Sequence, residues 1–332
     1  MRKKPKILVV GSFVMDLIAS AEQAPRSGET VIGTAFHTAP GGKGANQAVQ
    51  CARLGAQVTM MGCVGGDSFA DGLLEAVHRS GVDVSHVRRD SAVSSGIGHI
   101  LLEVTEHGTQ NRITVIPGAN RSLRAEDAAW IRAEIGSFDC VLLQMEIPAE
   151  VNLAVAGWAE AAGVPVMFNP APAGPLPDEL LRCVTYLTPN EQEAAVESGL
   201  PLRMDGDAPV PEDMAAVAAA LRSKGAAHVV ITLGRRGSAV VEPGGVRYVP
   251  AVRMPRVLDP TGAGDSFVAA LSTGLCAGLD QTQALTFASY TAAITVSGMG
   301  AMPSLPTLAQ VRALLAERNE QGVDLQILDR LA

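Results

Sequence analysis

Short apolar segments alternate with amphipathic segments along most of the 332-residue chain. The apolar segments are rich in β-branched residues, which predicts buried strands at 6–13, 57–64, 140–145, 165–169, 185–188 and 228–233. Between them, apolar residues recur at helical spacing, which predicts helices at 45–54, 69–80, 126–135, 150–162, 191–198 and 212–224. This order of elements gives right-handed crossovers, so we expect an α/β fold with a mostly parallel central sheet covered by helices on both faces.

Two stretches interrupt this alternation, at 17–40 and 98–116. In the first, 30–33 and 35–38 are predicted to be strands; the second is predicted to be a hairpin turning near His107 and Gly108. Because one face of these strands is polar, we expect a small accessory β-layer. Another hairpin is predicted at 237–250, followed by helices at 264–277, 281–296 and 308–317. No long polar linker divides the chain, which predicts one domain over 1–332.

Composition and charge exclude several classes of function. The formal net charge of −8 disfavours general binding to nucleic acid or to an acidic membrane surface. Five cysteines are scattered without Cys-x-x-Cys spacing, which indicates reduced thiols in a cytoplasmic protein. Basic residues at 2–4 precede an apolar segment, as in a secretion signal, but Gly11 and Asp16 interrupt it and favour a buried strand. No uninterrupted apolar run of about 18 residues is present, so we expect no membrane span.

Residues with useful chemistry cluster where the predicted strands end. These positions are 11–16, Glu146, 169–170, 188–193, 232–237 and 259–265. In open α/β sheets, ligands bind beyond the carboxyl ends of the strands. The convergence therefore predicts a ligand site at that edge of the sheet.

Residues 259–267, DPTGAGDSF, give the strongest local signal. The small residues let the backbone approach a ligand, and the amides of 262–265 open a helix whose N-terminus suits an anion. A carboxylate in an anion site makes sense if Asp265 accepts a proton from a hydroxyl that attacks a phosphate. The alternative is that Asp265 is an ordinary acidic residue at a helix start.

Residues 40–48, PGGKGANQA, form a second glycine-rich segment. Because Gly44 follows Lys43, the P-loop pattern is not satisfied. No Gly-x-Gly-x-x-Gly follows the first strand either, which counts against a nicotinamide oxidoreductase. Gly41 and Gly42 permit close backbone approach, while Lys43 and Asn46 supply polar contacts at a helix start. The alternative is a structural turn with an exposed lysine.

Asn190 and Glu193 lie one turn apart at the start of a predicted helix. Amide and carboxylate oxygens suit hydrated Mg²⁺ and its phosphates, so both side chains are candidates for that site. The alternative is an acidic first turn, which the helix dipole favours. The six histidines show no metal-ligand spacing and are interpreted as surface or core residues.

These segments, in this order, resemble the ribokinase family of PfkB-type carbohydrate kinases over about 7–315. The motifs are 41–48, GGKGANQA; 169–173, NPAPA; 188–191, TPNE; 231–234, ITLG; and 262–265, GAGD. The resemblance implies a three-layer α/β/α sandwich with a small β-sheet lid at about 17–40 and 98–116. It also implies an ATP-dependent kinase that phosphorylates the 5-hydroxyl of D-ribose. In ribokinases the lid also pairs two subunits, which implies a homodimer.

The resemblance further implies roles for individual residues. The sugar-pocket positions are Asp16, Gly42, Lys43, Asn46, Glu146 and Asp265. The nucleotide positions, the first two of them near Mg²⁺, are Asn190, Glu193, Thr232, Gly234, Gly237 and Gly264. The anion hole matches Gly262, Ala263 and Gly264, and the catalytic base matches Asp265. A K⁺ site beside that hole matches Asp259, Thr261, Thr295, Gly298, Gly300 and Ser304.

Two positions depart from the family pattern. Val14 stands where ribokinases usually carry a sugar-binding asparagine, so a 2-deoxyribose kinase or another pentose or hexose kinase is an alternative. Ser289 stands where some relatives carry a histidine against adenine. The scaffold also supports nucleoside kinases. A catalytically silent sugar- or nucleotide-binding regulator is a further alternative, although a pure binder gains nothing from Asp265.

Overall fold

The computed structural model describes residues 4–105, 108–206, 208–242 and 244–332. Its strands are β1 (Lys6–Val10), β2 (Val14–Ala21), β3 (Ala35–Gly41), β4 (Gln57–Gly65), β5 (Val82–Asp90), β6 (Gly96–Thr105), β7 (Gly108–Ile116), β8 (Cys140–Gln144), β9 (Val166–Asn169), β10 (Tyr186–Leu187), β11 (Met204–Asp205), β12 (Ala208–Pro209), β13 (His228–Thr232), β14 (Ser238–Glu242) and β15 (Gly245–Val249). Its α-helices are α1 (Lys43–Arg53), α2 (Ala70–His78), α3 (Ala129–Glu134), α4 (Ala149–Ala161), α5 (Asp178–Arg182), α6 (Glu191–Ser198), α7 (Pro211–Ser223), α8 (Ala263–Ala277), α9 (Gln281–Thr295), α10 (Ala301–Ser304), α11 (Leu308–Glu317) and α12 (Leu325–Leu328). Short 3₁₀ segments lie at Gly118–Ser122, Ala125–Ala128, Ile135–Ser137 and Gly234–Arg236.

Nine strands form the central sheet, in the order β15-β14-β13-β10-β9-β8-β1-β4-β5. The strands from β13 to β5 pair in parallel, and β14 and β15 add an antiparallel hairpin at the edge. The six strands predicted for the buried sheet and the hairpin predicted at 237–250 all lie in it. Strand β5 was not predicted, because its charged residues hide the apolar ones.

Alternate residues of the buried strands face two separate cores. Ile7 and Val9 of β1 belong to a core shared with α1, α2, α8, α9 and α11, whereas Leu8 and Val10 belong to a core shared with α3 to α7. Strands that are buried on both faces form continuous apolar runs, which is why the sequence pattern revealed them. The prediction of a three-layer α/β/α sandwich with a mostly parallel sheet is confirmed.

A second sheet of four strands has the order β3-β2-β6-β7. β2 and β6 pair in parallel, and β3 and β7 pair antiparallel to them on the outside. The prediction of a strand at 30–33 was wrong: these residues form no strand, and Ile32 is 88% exposed. The strand predicted at 6–13 ends at Val10, and β2, which begins at Val14, was not predicted. Residues 106–107, part of the predicted turn, lie outside the described residues.

The predicted helices are all present, within a few residues of the expected bounds. The segment 126–135 is divided between α3 and the two 3₁₀ segments that flank it. The short helices α5, α10 and α12 and the two-residue strands β11 and β12 were not predicted, because elements of this length leave no periodic pattern.

Candidate active site

Asp265 lies in the first turn of α8 and is only 6% exposed. Its carboxylate does not cap the helix. Instead, Asn46 Nδ2 donates a hydrogen bond to Oδ2 at 2.9 Å, and Gln47 Nε2 donates one to Oδ1 at 3.1 Å. The carboxylate therefore faces helix α1 in the interior, which excludes the alternative of an ordinary helix-start acid.

The backbone turns sharply into α8 at Gly262. This residue has φ 79°, a left-handed conformation that disfavours any side chain. Ala263 N donates to Pro260 O at 3.2 Å, and the first i→i−4 bond runs from Ser266 N to Gly262 O at 2.8 Å. The amides of 264 and 265 lie before that bond, where a helix provides no internal acceptor. They are the donors that the helix start offers to an anion, whereas the Ala263 amide is already occupied.

Glu146 joins the start of α1 to the segment after β1. Its Oε2 accepts hydrogen bonds from Ser12 Oγ at 2.5 Å and from the Lys43 backbone N–H at 2.9 Å. Burial lowers the pKa of the Lys43 ammonium group, but the charges of Asp265, Glu146 and Glu193 outweigh burial and raise that pKa. Lys43 is therefore a charged, half-buried group among carboxylates, not the exposed lysine of a structural turn.

Asp16 lies on β2 of the small sheet, between glycines of the neighbouring strands. A Cβ added to Gly98 would lie 2.2 Å from Asp16 Oδ1, and one added to Gly41 would lie 3.1 Å from Oδ2. Burial raises the pKa of Asp16 to about 6, and the charge of Glu146 adds to this effect. Within the part of the chain that the structure describes, no hydrogen bond reaches this carboxylate. Its oxygens are therefore available to a ligand.

Asn190 and Glu193 form a reciprocal capping box at the start of α6. Asn190 N and Nδ2 donate to the two Glu193 carboxylate oxygens at 2.8 and 2.9 Å, and Glu193 N donates to Asn190 Oδ1 at 2.9 Å. Burial raises the pKa of Glu193. Asn190 and Glu193 therefore do stabilise the first turn of α6, as the alternative interpretation predicted. Glu193 also contributes to the negative charge around Lys43.

A groove of about 310 Å³ lies near the predicted nucleotide residues. It is lined by 249–253, Thr286, Ser289, Tyr290, Arg318 and Glu320. Thr232 ends β13 and bridges to Asn190, and Gly234 and Gly237 flank the turn that follows. A Cβ added to Gly237 would lie 2.0 Å from Val249 O, which places this turn against one wall of the groove.

The predicted K⁺ residues lie in two loops that contact each other. Asp259 Oδ1 accepts hydrogen bonds from Thr261 N at 2.9 Å and from Thr261 Oγ1 at 2.5 Å. Asp259 Oδ2 accepts one from Gly300 N at 2.9 Å. One carboxylate therefore connects the loop before α8 with the loop after α9.

The other three predicted K⁺ positions lie in or beside the second loop: Thr295 ends α9, Gly298 lies in the loop, and Ser304 ends α10. A Cβ added to Gly298 would lie 2.6 Å from Ser304 Cβ, and Gly298 N donates to Thr295 O at 3.1 Å. The Thr295 hydroxyl points away towards α8, where it lies 2.7 Å from Ser266 Oγ. These contacts connect the six positions, while the Thr295 hydroxyl bonds to α8 and its carbonyl already accepts from Gly298 N. Among the described residues, no group of three or more His, Cys, Asp or Glu side chains could hold a metal ion.

Helix α1 also anchors the loop at 302–306. Gln50 Nε2 donates to Pro306 O at 2.9 Å. Arg53 Nη1 donates to the carbonyls of Met302 and Leu305 at 3.0 and 2.6 Å. The helix that supplies both amide donors to Asp265 therefore also fixes the loop next to the predicted cation residues.

The sequence did not identify Gln47 and Gln144 as site residues. Gln144 Nε2 donates to Gln47 Oε1 at 2.7 Å, and both side chains are fully buried. One signal was available: Gln144 is a polar residue within an otherwise apolar predicted strand. A buried polar side chain of this kind requires a partner.

Known proteins resemble this chain over most of its length. A model of the pfkB family of carbohydrate kinases matches residues 4–308. Ribokinase of Bacillus subtilis is 38% identical over 310 residues, which cover 93% of this chain and 99% of the relative. Deoxyribokinase of Salmonella typhimurium is 32% identical over 311 residues, covering 93% and 98%.

Solved structures give the same result. The structure of Arabidopsis thaliana ribokinase complexed with ribose and ATP has a TM-score of 0.85 and 31% identity, and the match covers 95% of this chain and 99% of that one. Ribokinase from Thermotoga maritima has a TM-score of 0.80 at 32% identity, covering 93% and 99%. Among the described residues, no helix combines the length and apolar character needed to cross a membrane.

Proposed function

Since the chain belongs to the pfkB family of carbohydrate kinases, we propose that it is an ATP-dependent sugar kinase that phosphorylates the primary 5-hydroxyl of D-ribose. One observation carries this proposal: the Asp265 carboxylate is buried beside the open first-turn amides of α8. A proton acceptor and an anion site at one point are what transfer of a phosphoryl group to a hydroxyl requires.

The proposed mechanism uses residues from both sheets. Asp16, Asn46 and Glu146 hold the sugar hydroxyls. The buried Asn46 Oδ1 has no hydrogen-bond partner among the described residues, which fits an acceptor reserved for a ligand hydroxyl. Asp265 removes the proton from the attacking hydroxyl. The first-turn amides of α8 and the Lys43 ammonium group compensate the negative charge of the transferring phosphoryl group.

We propose that Mg²⁺ accompanies ATP at this site and supplies positive charge to its phosphates when bound. Asn190 and Glu193 fit this role by donor type, since carboxylate and amide oxygens suit a hydrated cation. Their oxygens already take part in the capping box, so we expect them to act through water.

We also propose a K⁺ site between the loops before α8 and after α9. The residue types fit, because the six predicted positions combine the Asp259 carboxylate with hydroxyl and backbone carbonyl oxygens and include no cationic side chain. When bound, the cation adds positive charge next to the anion site of α8. The proposed ligands are Asp259, Thr261, Thr295, Gly298, Gly300 and Ser304.

We propose that the four-stranded sheet is a lid within one domain spanning 1–332, and that it pairs two copies of the chain. The face that carries Asp16 continues across the sheet through Gly98 to Val115. Val115 is 55% exposed and Ile113 on the same strand is 54% exposed. Exposed apolar residues on one sheet face suit packing against the same face of a second copy of the chain. The dispersed free cysteines are the reason to propose that the protein is cytoplasmic.

One observation favours 2-deoxyribose as a second candidate substrate. Val14 lies two residues before Asp16 on β2, and its Cγ1 would be 3.6 Å from a Cβ at Gly98. The carboxylate and this methyl group therefore share one face of the strand. A sugar carbon without a hydroxyl can lie next to the Val14 methyl group at no cost. A hydroxyl at the same position would lose the hydrogen bond that it makes with water.

A kinase assay over a panel of sugars tests the proposal. With ATP, we expect turnover of D-ribose, and the values of kcat/KM for ribose, 2-deoxyribose, hexoses and nucleosides rank the alternatives. A large preference for 2-deoxyribose would replace ribose as the substrate. Binding of sugar or ATP without turnover of any member of the panel would favour the regulator.

A further inference from the structure

A group of buried amide side chains connects the ends of two central strands to Asp265. Gln144 ends β8, Asn169 ends β9 beside it in the sheet, and both lie next to Gln47 of α1. Gln47 and Gln144 are fully buried, and Asn169 is 7% exposed. None of these side chains carries a charge, so they donate and accept hydrogen bonds without competing with Asp265 for its proton.

The hydrogen bonds of Gln47 fix the direction of its amide. Its Oε1 accepts from Gln144 Nε2 at 2.7 Å. Its Nε2 donates to Asp265 Oδ1 at 3.1 Å and to Asn169 Oδ1 at 3.4 Å. If the Gln47 amide were turned over, its oxygen would face Asp265 Oδ1 and Asn169 Oδ1, which are both hydrogen-bond acceptors. Gln47 can therefore present only an N–H group to Asp265.

The partners of Gln47 are themselves held in place. Asn169 Nδ2 donates to Thr188 O at 2.9 Å, which leaves its oxygen directed at Gln47. Gln144 Oε1 lies against Gly11, where an added Cβ would be only 2.2 Å away. The side chain of Gln144 therefore fits only because Gly11 has no side chain, and its Oε1 has no hydrogen-bond partner among the described residues.

We infer that Gln47 is a positioning residue for the Asp265 carboxylate and that Gln144 orients it, forming a two-amide relay from the central sheet to the reacting group. The inference rests on the proposed function, in which Asp265 is the base. Oδ1 is held from the side of the sheet by this relay. Oδ2 accepts only the bond from Asn46 Nδ2 among the described residues, so it can also accept the attacking hydroxyl, close to the unpaired Asn46 Oδ1.

The relay affects the rate rather than substrate binding. Gln47 is covered by protein on all sides and does not line the sugar or nucleotide positions. A hydrogen bond to a carboxylate holds its orientation and stabilises its charged form. A base that is wrongly oriented lowers the rate of the reaction. Removing the Gln47 amide should therefore lower kcat with little change in either KM.

The test compares Gln47→Met, Gln144→Met and the double variant, with kcat and both KM values measured for ribose and ATP. Methionine keeps the length of glutamine and removes its hydrogen bonds. We expect Gln47→Met to lower kcat by about 10- to 100-fold. Gln144→Met should lower it less, because Gln47 remains. The double variant should lose no more than Gln47→Met alone, since both act through one contact.

Asn152→Leu is the matched control. This amide is also buried and donates to the Gln144 backbone carbonyl at 2.7 Å, but it does not belong to the relay. It should retain kcat within about twofold even if thermal stability falls. Tm of each variant shows whether it is folded.

Three results would overturn the inference: kcat of Gln47→Met within twofold of the parent, a loss confined to KM, or additive losses in the double variant. If Gln47→Met does not fold, Gln144→Met decides alone, and an unchanged kcat would count against the relay. Asp265→Asn separates the two levels of the argument. If that variant stays active, the proposed base is wrong; if it is inactive while Gln47→Met is normal, only the relay is wrong.

Discussion

The two aspartates at opposite sides of the proposed sugar site are held in contrasting ways. Asp265, on helix α8 beside the central sheet, accepts hydrogen bonds from two buried amides. Asp16, on the small sheet, lies between glycines, receives no hydrogen bond from the described residues, and has its pKa raised to about 6. One carboxylate is fully supported before any ligand arrives, whereas the other lacks partners.

The difference follows from what each group does in the proposed reaction. A base must be in place before the transition state forms, so the protein supplies its support in advance. A carboxylate that recognises the sugar is most selective if only the correct ligand supplies the hydrogen bonds that it lost on burial. Binding of that ligand then restores the missing hydrogen bonds. The small sheet therefore carries a locally unfavourable carboxylate that sugar hydroxyls would stabilise.

Replacing the supported carboxylate should have the largest effect. Asp265→Asn keeps the shape of the side chain and removes the proton acceptor, so we expect kcat to fall by about 10²- to 10⁴-fold. Binding of ATP, measured by calorimetry, should be retained because the first-turn amides of α8 are unchanged. Near-normal turnover would contradict the assignment of the base.

Replacing the unsupported carboxylate should weaken sugar binding and stabilise the fold. Asp16→Asn should raise KM for the sugar by about 10- to 100-fold through the loss of charged hydrogen bonds. The raised pKa means that Asp16 destabilises the fold at neutral pH, by at most about 3 kcal/mol. Tm of the variant should therefore exceed that of the parent by a few degrees at pH 7–8, and an unchanged Tm would contradict the desolvation argument.

The sign of the pH dependence provides a check on the same residue. Because the folded pKa lies above the ordinary value of 3.8, the stability associated with protonated Asp16 is complete below pH 3.8 and is lost as pH rises through about 6. The Tm difference between parent and Asp16→Asn should accordingly shrink as the pH is lowered from 7 to 4.5.

Sugar affinity should follow the opposite course. Since the ionised form accepts the sugar hydroxyls, KM for ribose in the parent should rise by up to about tenfold between pH 7 and pH 5. The KM of Asp16→Asn should change little over that range. A parallel rise in both proteins would assign the titration to another group.

The smallest expected effect concerns the choice of sugar at Val14. Val14→Asn restores a polar group beside Asp16, and Val14→Thr does so with almost no change in shape. We expect the ratio of kcat/KM for ribose to that for 2-deoxyribose to increase by about 2- to 10-fold in the asparagine variant and less in the threonine variant. An unchanged ratio in both would show that this position does not contact the sugar.

The sequence predicted the central sheet well because its strands are buried on both faces. Each forms an apolar run such as 140–145, and the ends of these runs located the site. Strand β5 escaped prediction because it lies at the sheet edge and includes Arg88, Arg89 and Asp90. In the small sheet the alternation of polar and apolar residues is weak. Segment 30–33 was therefore mistaken for a strand, and β2 was not predicted.

The site itself was predicted only as far as its motifs extend. Asp265 was identified because glycines and a helix start surround it in the sequence. The relay was not identified from the sequence, because Gln47 and Gln144 are 97 residues apart and neutral amides have no characteristic spacing. Their role depends on the packing of α1 against the end of β8, which local patterns do not specify. Likewise, the capping box of Asn190 and Glu193 is visible in the sequence, but their distance from a cation is not.

Helix α1 offers little freedom for adaptation to new substrates. Along its length it contacts Asp265, the strand ends and the loop at 302–306, so a shift that accommodates a different sugar at one end would disturb the proton acceptor and the loop as well. Variation in substrate range within this scaffold should accumulate on β2 and β6, where single side chains can change without moving a shared element. Anyone redesigning the specificity of this protein should begin with those two strands and leave the helix intact.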